Sequence, residues 1–234
     1  MSLLVRSVDL ARLHSRVAYP SIPSYHPPDD DGRASGLAVR PPGDAIATER
    51  IDGVMCRLVV APDGSYLIGD AKRWLYAAGD LIGNPSHGVA NAVKPAAERL
   101  TGLKEWTAVF GIVFGGKTPG AERYTSKREV GYRVIDVAKL GEDNELAFLN
   151  EHDLLAFAAA HSLPLAPRIA RFPARDLPTR PDPTRTFLEE LLPSSRCRLD
   201  GGADGDPDGV VLRTADRGWI ASARFDDYPV KRKG

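Results

Sequence analysis

From residue 45 to residue 68 the chain alternates apolar and polar side chains with a period of two. The stretch 45–53 (AIATERIDG) leads into 54–60 (VMCRLVV), and the turn signal Pro62-Asp63-Gly64 separates this from 65–69 (SYLIG). Val54, Cys56, Leu58 and Val60 share one face, so 54–69 predicts an antiparallel hairpin with one buried side. The period lengthens over 85–102, where Val89, Val93, Ala97 and Leu100 recur at helical spacing. Pro95 inside that pattern predicts a kink or a late start, because proline lacks the amide proton that a helix interior needs. The apolar runs 107–116 (TAVFGIVFGG) and 129–140 (EVGYRVIDVAKL) read as buried strands. Residues 151–165 read as a helix ending near Ser162, and 186–193 as a short helix. Residues 208–228 read as a closing hairpin turning at Asp216-Arg217-Gly218. The proline-rich stretch 164–186 reads mostly as loop. Residues 20–44, rich in Pro, Gly and Asp, read as a loop-rich lead-in serving as a lid or an edge connection, since proline cannot donate to a sheet ladder. The economical assembly is a single α+β domain over 1–234, built on antiparallel strands, with a basic tail at 229–234 and no OB-fold.

Composition narrows the classes. At 43% hydrophobic and 26% charged residues, the 234-residue chain has the make-up of one globular domain. Lys plus Arg equals Asp plus Glu at 31 each, so the basic excess that marks phosphate-backbone binding is missing. Cys56 and Cys197 form no CxxC or zinc spacing, which predicts neither a disulfide framework nor a metal site and fits a reducing cytoplasm. Asp9 and Arg12 interrupt the N-terminal apolar residues, so no signal peptide is expected, and no run approaches the ~20 apolar residues that span a bilayer. Asp204, Asp206, Asp208 and Gly209 imitate the opening of a calcium loop, but Pro207 interrupts it and Ala215 stands where a bidentate glutamate is required. His14, His26, His87, His152 and His161 show no ligand spacing; His26 and His87 lie in loops that border the expected pocket and are acid–base candidates. No metal and no cofactor are expected.

A series of short motifs carries the chemistry. In order the chain shows E-R-I-D-G at 49–53, D-G-S-Y-L-I-G-D-A-K at 63–72, G-D-L-I-G-N-P at 79–85 and F-G-I-V-F-G-G-K at 110–117. R-Y-T at 123–125, G-Y-R-V-I-D-V at 131–137, D-G-V-V-L-R at 208–213 and I-A-S-A-R-F-D-D-Y at 220–228 follow. The series resembles the covalent nucleotidyltransferase superfamily, specifically ATP-dependent RNA ligases of the bacterial type. Their landmarks read roughly E-K-x-D-G, G-S-R, Y-G-E-x-x-G-G-K, F-R-x-F-D, E-G-V-V-x-R and I-A-K-x-R-F-E-D-Y. Each motif alone is weak; their order over nearly the whole chain is specific. The resemblance implies the ligase adenylation-domain fold, with antiparallel sheets flanked by helices. It also implies a site in which a lysine amine attacks the α-phosphate of ATP and carries AMP as a phosphoramidate.

At the positions that perform this step the chain departs from the pattern. Arg50 stands in the nucleophile's place, and a guanidinium stays protonated above pKa ~12 and has no lone pair to offer phosphorus. Ala71 replaces the arginine of G-S-R, Ile112 the glutamate of G-E, Ser222 the first lysine of the last motif, and Asp208 the glutamate of E-G. Asp52, Gly53, Lys117, Arg213 and Arg224 agree with the pattern, and Tyr132 keeps an aromatic group where the family stacks adenine. Lys72 follows Ala71, but successive strand residues point to opposite faces, which makes it a surface lysine.

Glycines and aliphatics are thus kept while phosphate- and metal-handling groups are lost. The expectation is a degenerate site that has abandoned lysyl-AMP chemistry. It is best read as a repurposed biosynthetic enzyme of lyase, cyclase or isomerase type acting on a small-molecule substrate. Arg50, Asp52 and Asp208 are the candidate catalytic groups. Ala71, Ile112, Tyr132, Arg213, Ser222, Arg224 and Lys117 are the expected pocket. Two alternatives stand beside it: a non-catalytic pseudo-ligase that binds nucleotide or RNA, and an atypical ligase using another amine such as Lys72.

Overall fold

The computed structural model describes residues 7–77, 80–83, 86–141 and 145–229. The basic tail at Lys231-Arg232-Lys233 and the first residue of the predicted 85–102 helix lie outside them. The described strands form two antiparallel sheets. The smaller contains β1 (Ala45–Arg50), β9 (Arg168–Phe172), β10 (Gly209–Thr214) and β11 (Ile220–Arg224) in the order β11-β10-β1-β9. The larger contains β2 (Val54–Val60), β3 (Tyr66–Asp70), β4 (Trp74–Ala77), β5 (Asp80–Leu81), β6 (Thr107–Gly115), β7 (Val130–Leu140) and β8 (Leu146–Phe148), in the order β5-β4-β3-β2-β6-β7-β8. The predicted hairpins fall into register, with Leu58 opposite Ile68 and Val211 opposite Ser222.

Helices cover the outer faces. α2 (Val89–Arg99) and α3 (Glu151–Ala160) bury Val93, Ala97, Leu154 and Ala158 against Leu58, Val109 and Val137 of the large sheet. α4 (Pro181–Leu191) buries Leu188 against Ala47, Val210 and Leu212 of the small sheet. The inner face of the large sheet is closed at one end by α1 (Leu10–Arg16). Leu13 of this helix joins Trp74 and Phe110, and the Trp74 Nε1–H donates to the Leu10 carbonyl at 2.9 Å. Asp9, which breaks the N-terminal apolar pattern, is the cap of this helix, accepting from the Ala11 and Arg12 amides.

Three expectations are corrected. Residues 164–186 are not mostly loop. β9 lies within them as an edge strand, with Pro167 and Pro173 just beyond its ends, where no ladder donor is required. α4 starts at Pro181 rather than near Thr186, because prolines in a helix's first turn give up amides that have no intrahelical partner anyway. α2 runs through Pro95 without breaking; its buried face outweighs the one lost bond. Residues 20–44 take the edge role, since Ser24 bridges Ser222 and the Tyr25 amide donates to the Ser222 carbonyl, extending the small sheet past β11.

Candidate functional site

Between the sheets lies a cavity of about 400 Å³, a volume typical of small-molecule sites. β1, β10 and β11 form one wall, β2, β3, β6 and β7 the other, and residues 17–22, leaving α1, close the side. The apolar lining comes chiefly from Ile22, Ile51, Met55, Phe110, Ile112 and Ile135.

Arg50 ends β1 and contributes to the wall, with its side chain 31% exposed. It is ion-paired with Asp208, whose carboxylate is 1% exposed and also lies 3.8 Å from Arg224. The register explains the cluster. Gly209 sits between Arg50 and Arg224 across three adjacent strands and carries no side chain, so both guanidiniums reach the acid beside it. Burial, and then the neighbouring Arg224 charge, push the Arg50 pKa down, while Asp52 opposes them.

A second charged cluster joins the sheets. Asp136 of β7 is fully buried and accepts from Arg213 of β10 at 3.3 Å. It also accepts from Arg217 in the β10–β11 turn at 2.7 Å and from the Tyr19 hydroxyl at 2.8 Å. Arg213 also pairs with Glu151 at the start of α3, which Arg168 grips with two bonds of 2.8 and 3.2 Å. Burial raises the Glu151 pKa, but the hydrogen bonds of Arg168 and the charge of Arg213 outweigh it, and the net direction is down. Glu49 lines the cavity with both carboxylate oxygens engaged, by the Ser195 hydroxyl at 2.5 Å and the Arg196 amide at 2.9 Å. Burial nevertheless pushes its carboxyl up.

The sequence-predicted residues divide. Arg50, Ala71, Ile112, Arg213 and Ser222 line the cavity, and Asp208 stands directly behind Arg50. Asp52 does not line it: its amide donates to the Tyr124 hydroxyl at 2.6 Å, and its carboxylate lies 4.0 Å from Arg123. Arg224 reaches the site only through Asp208, and Lys117 is exposed, its carbonyl in hydrogen-bond contact with His87. Tyr132 is not a stacking platform in this cavity. It pairs with Val113 on the face opposite Ile112 and is buried in the core beneath α2, because the strand's period of two turns it away. His26 is not at the cavity either. It is buried between the Tyr228 hydroxyl and the Thr179 carbonyl, and since a carbonyl only accepts, Nε2 carries the proton and Nδ1 accepts from Tyr228. Lys72 is exposed in the β3–β4 turn, and no lysine lines the cavity among the described residues.

Arg57 escapes the sequence reading. It lies in β2 opposite Phe110 and Gly69, is 3% exposed, and lines the cavity. The signal was a lone cation inside an apolar strand, on the side taken as solvent-facing. Both faces of that strand are buried.

This architecture is the nucleotidyltransferase fold of RNA ligases. The structure of Naegleria gruberi RNA ligase with pyrophosphate superposes with a TM-score of 0.59 at 12% identity, over 82% of this chain and 52% of that one. A point mutant of the same ligase with ATP and manganese gives a TM-score of 0.60 at 11% identity, over 80% of this chain and 51% of that one. The chain thus spans about half the length of the solved structures it matches. No protein-family model and no curated protein matches the sequence. No helix among the described residues is long and apolar enough to cross a membrane.

Proposed function

We propose that this chain uses the ligase-type cleft to act on a small organic molecule and forms no lysyl-nucleotide. The observation that carries the reading is the make-up of the cavity: no lysine lines it among the described residues, and the cation at the end of β1 is an arginine tied to the buried Asp208. An amine nucleophile must be able to shed its proton, and a guanidinium held against a carboxylate does not. The aliphatic wall and a volume of about 400 Å³ suit a small organic body, with acid–base help from Glu49, which lines the cavity and whose carboxyl burial pushes up. Chemistry of the lyase, cyclase or isomerase kind needs only such proton transfers. Incubation with ATP and either magnesium or manganese, followed by intact mass measurement, tests the reading. An unmodified mass is expected, and a nucleotide adduct overturns it. The ligase structures solved with ATP favour a second reading, a binder that holds nucleotide without reacting. Thermal stabilisation by ATP, but by no small organic anion, would select it.

A further inference from the structure

The arginines around the cavity are not equivalent. Arg50 has Asp208, Arg168 has Glu151, and Arg213 has both Asp136 and Glu151. Arg57 is among the more deeply buried of the four, at 3% exposure, and has no carboxylate within ion-pair distance among the described residues. Both its terminal nitrogens are spent on α1: Nη1 donates to the His14 carbonyl at 3.1 Å, and Nη2 contacts His14 Nδ1. Its plane lies over the Trp74 ring, 4.3 Å from the centroid, which fixes the guanidinium from one side. Its Nε is buried without a hydrogen-bond partner. Gly69 lets the guanidinium pack directly on β3, since a Cβ there would lie 2.7 Å from the Arg73 carbonyl, 2.9 Å from the Trp74 ring and 3.3 Å from Nε. A buried N–H is normally met by an acceptor, and the Arg57 Nε has none among the described residues; the charge is opposed only by the Asp70 carboxylate, which lines the same cavity but lies beyond ion-pair distance.

We propose that Arg57 is the anion anchor of the cleft, and that the ligand is a small molecule with an apolar body and one compact anionic group, a carboxylate or a phosphate, that accepts from Arg57 Nε. The inference rests on the cleft's being a small-molecule site and adds the charge of the ligand and the residue that reads it. Ile112 and Phe110 face the apolar body, and the Arg57 cation opposes neutral analogues by keeping its own desolvation uncompensated when they bind.

Calorimetry with benzoate, inorganic phosphate and benzyl alcohol as probes tests this on the full chain, with Arg57→Gln and Arg50→Gln beside the wild type. Benzoate or phosphate is expected to bind the wild type, and benzyl alcohol at least tenfold more weakly than benzoate. Arg57→Gln should weaken the bound anions at least tenfold and by more than Arg50→Gln does. The opposite order would overturn the anchor while leaving an anion-binding cleft intact. Failure of every probe to bind the wild type would defeat the small-molecule cleft and the anchor together. Should Arg57→Gln not fold, crystals of the wild type soaked in 4-bromobenzoate decide the matter by the bromine position. A carboxylate on Arg57 supports the anchor, and a carboxylate on Arg50 or an empty cavity overturns it.

Discussion

Asp136→Ala should be the most destabilising single change at the junction of the two sheets. The carboxylate is fully buried on β7 and accepts three bonds, from Arg213 at 3.3 Å, Arg217 at 2.7 Å and Tyr19 at 2.8 Å. Removing one member of a buried ion pair costs ~3–5 kcal/mol, because the remaining charge stays desolvated. The lower end applies here. Arg213 keeps Glu151, and Arg217, only 11% exposed but in a surface turn, can swing toward water while keeping its contact with Phe148 at 3.6 Å. A loss of about 3 kcal/mol corresponds to a fall of roughly 6–12 °C in Tm for a domain of this size. Urea titration followed by tryptophan fluorescence, with an unchanged m-value, would measure it. The double variant with Arg217→Ala should lose less than the sum of the two single changes. A loss below about 1 kcal/mol would refute the reasoning, for it would mean that Asp136 is already hydrated and that the sheets are held together by apolar contact alone.

Three further outcomes are expected. Burial holds both His14 and His26 below the ordinary value of 6.5, with the Arg57 charge adding to the effect at His14. Groups with depressed folded pKa values bind fewer protons folded than unfolded, so their stability contribution is complete above pH 6.5 and is lost as pH falls below it toward the folded values. The unfolding midpoint should therefore drop between about pH 7 and pH 5.5, and the His14→Gln, His26→Gln double variant should flatten that part of the profile; an unchanged slope would assign it elsewhere. Gly209→Ala would set a Cβ 2.9 Å from the Arg224 Cα and against the Ala223 carbonyl, forcing β10 and β11 apart, at about 1–3 kcal/mol in denaturant titration. Arg50→Lys places an amine at the end of β1 with Ala71, Ile112 and Ser222 beside it in the cavity wall, none of which can pair with phosphate charge, so no nucleotide adduct should appear in its mass spectrum; an adduct would mean that an amine at position 50 suffices.

The strands and helices with clean periodicity could be read from the sequence because one face of each carries apolar residues at regular spacing: Val93 and Ala97 of α2, Leu58 and Val60 of β2, Val210 and Leu212 of β10. The edge strand β9 could not, since prolines at its ends mask a five-residue pattern that β1 alone stabilises, across a register shift between Ala47 and Thr48. Motif order placed Arg50, Ile112, Ser222 and Arg213 at one cavity, because those motifs sit on strands whose pairing fixes their side. It misplaced Tyr132 because a resemblance names a position along the chain and not the face it points to. It missed Arg57 for the converse reason. Alternation assigns the outward side of an isolated hairpin to water, and only the second sheet and α1 turn that side into an interior.

Charge balance links these observations. In the ligase pattern the reactive cation belongs to the strand end that β1 supplies, and here that cation is neutralised in place by Asp208, as Arg168 and Arg213 are by Glu151 and Asp136. Every arginine contributed by the small sheet to the cavity wall therefore has its counter-ion within the protein. The cavity arginine without an ion pair among the described residues is Arg57 on the large sheet, fixed by Trp74 and by α1; burial lowers its pKa to about 10 against the opposing charge of Asp70, so it is still cationic at neutral pH. A ligand answering to that distribution would put its anionic end against β2 and its apolar body toward Ile112 and Ile135. Arg50, at the end of β1, would then serve to shape the cavity rather than to react in it.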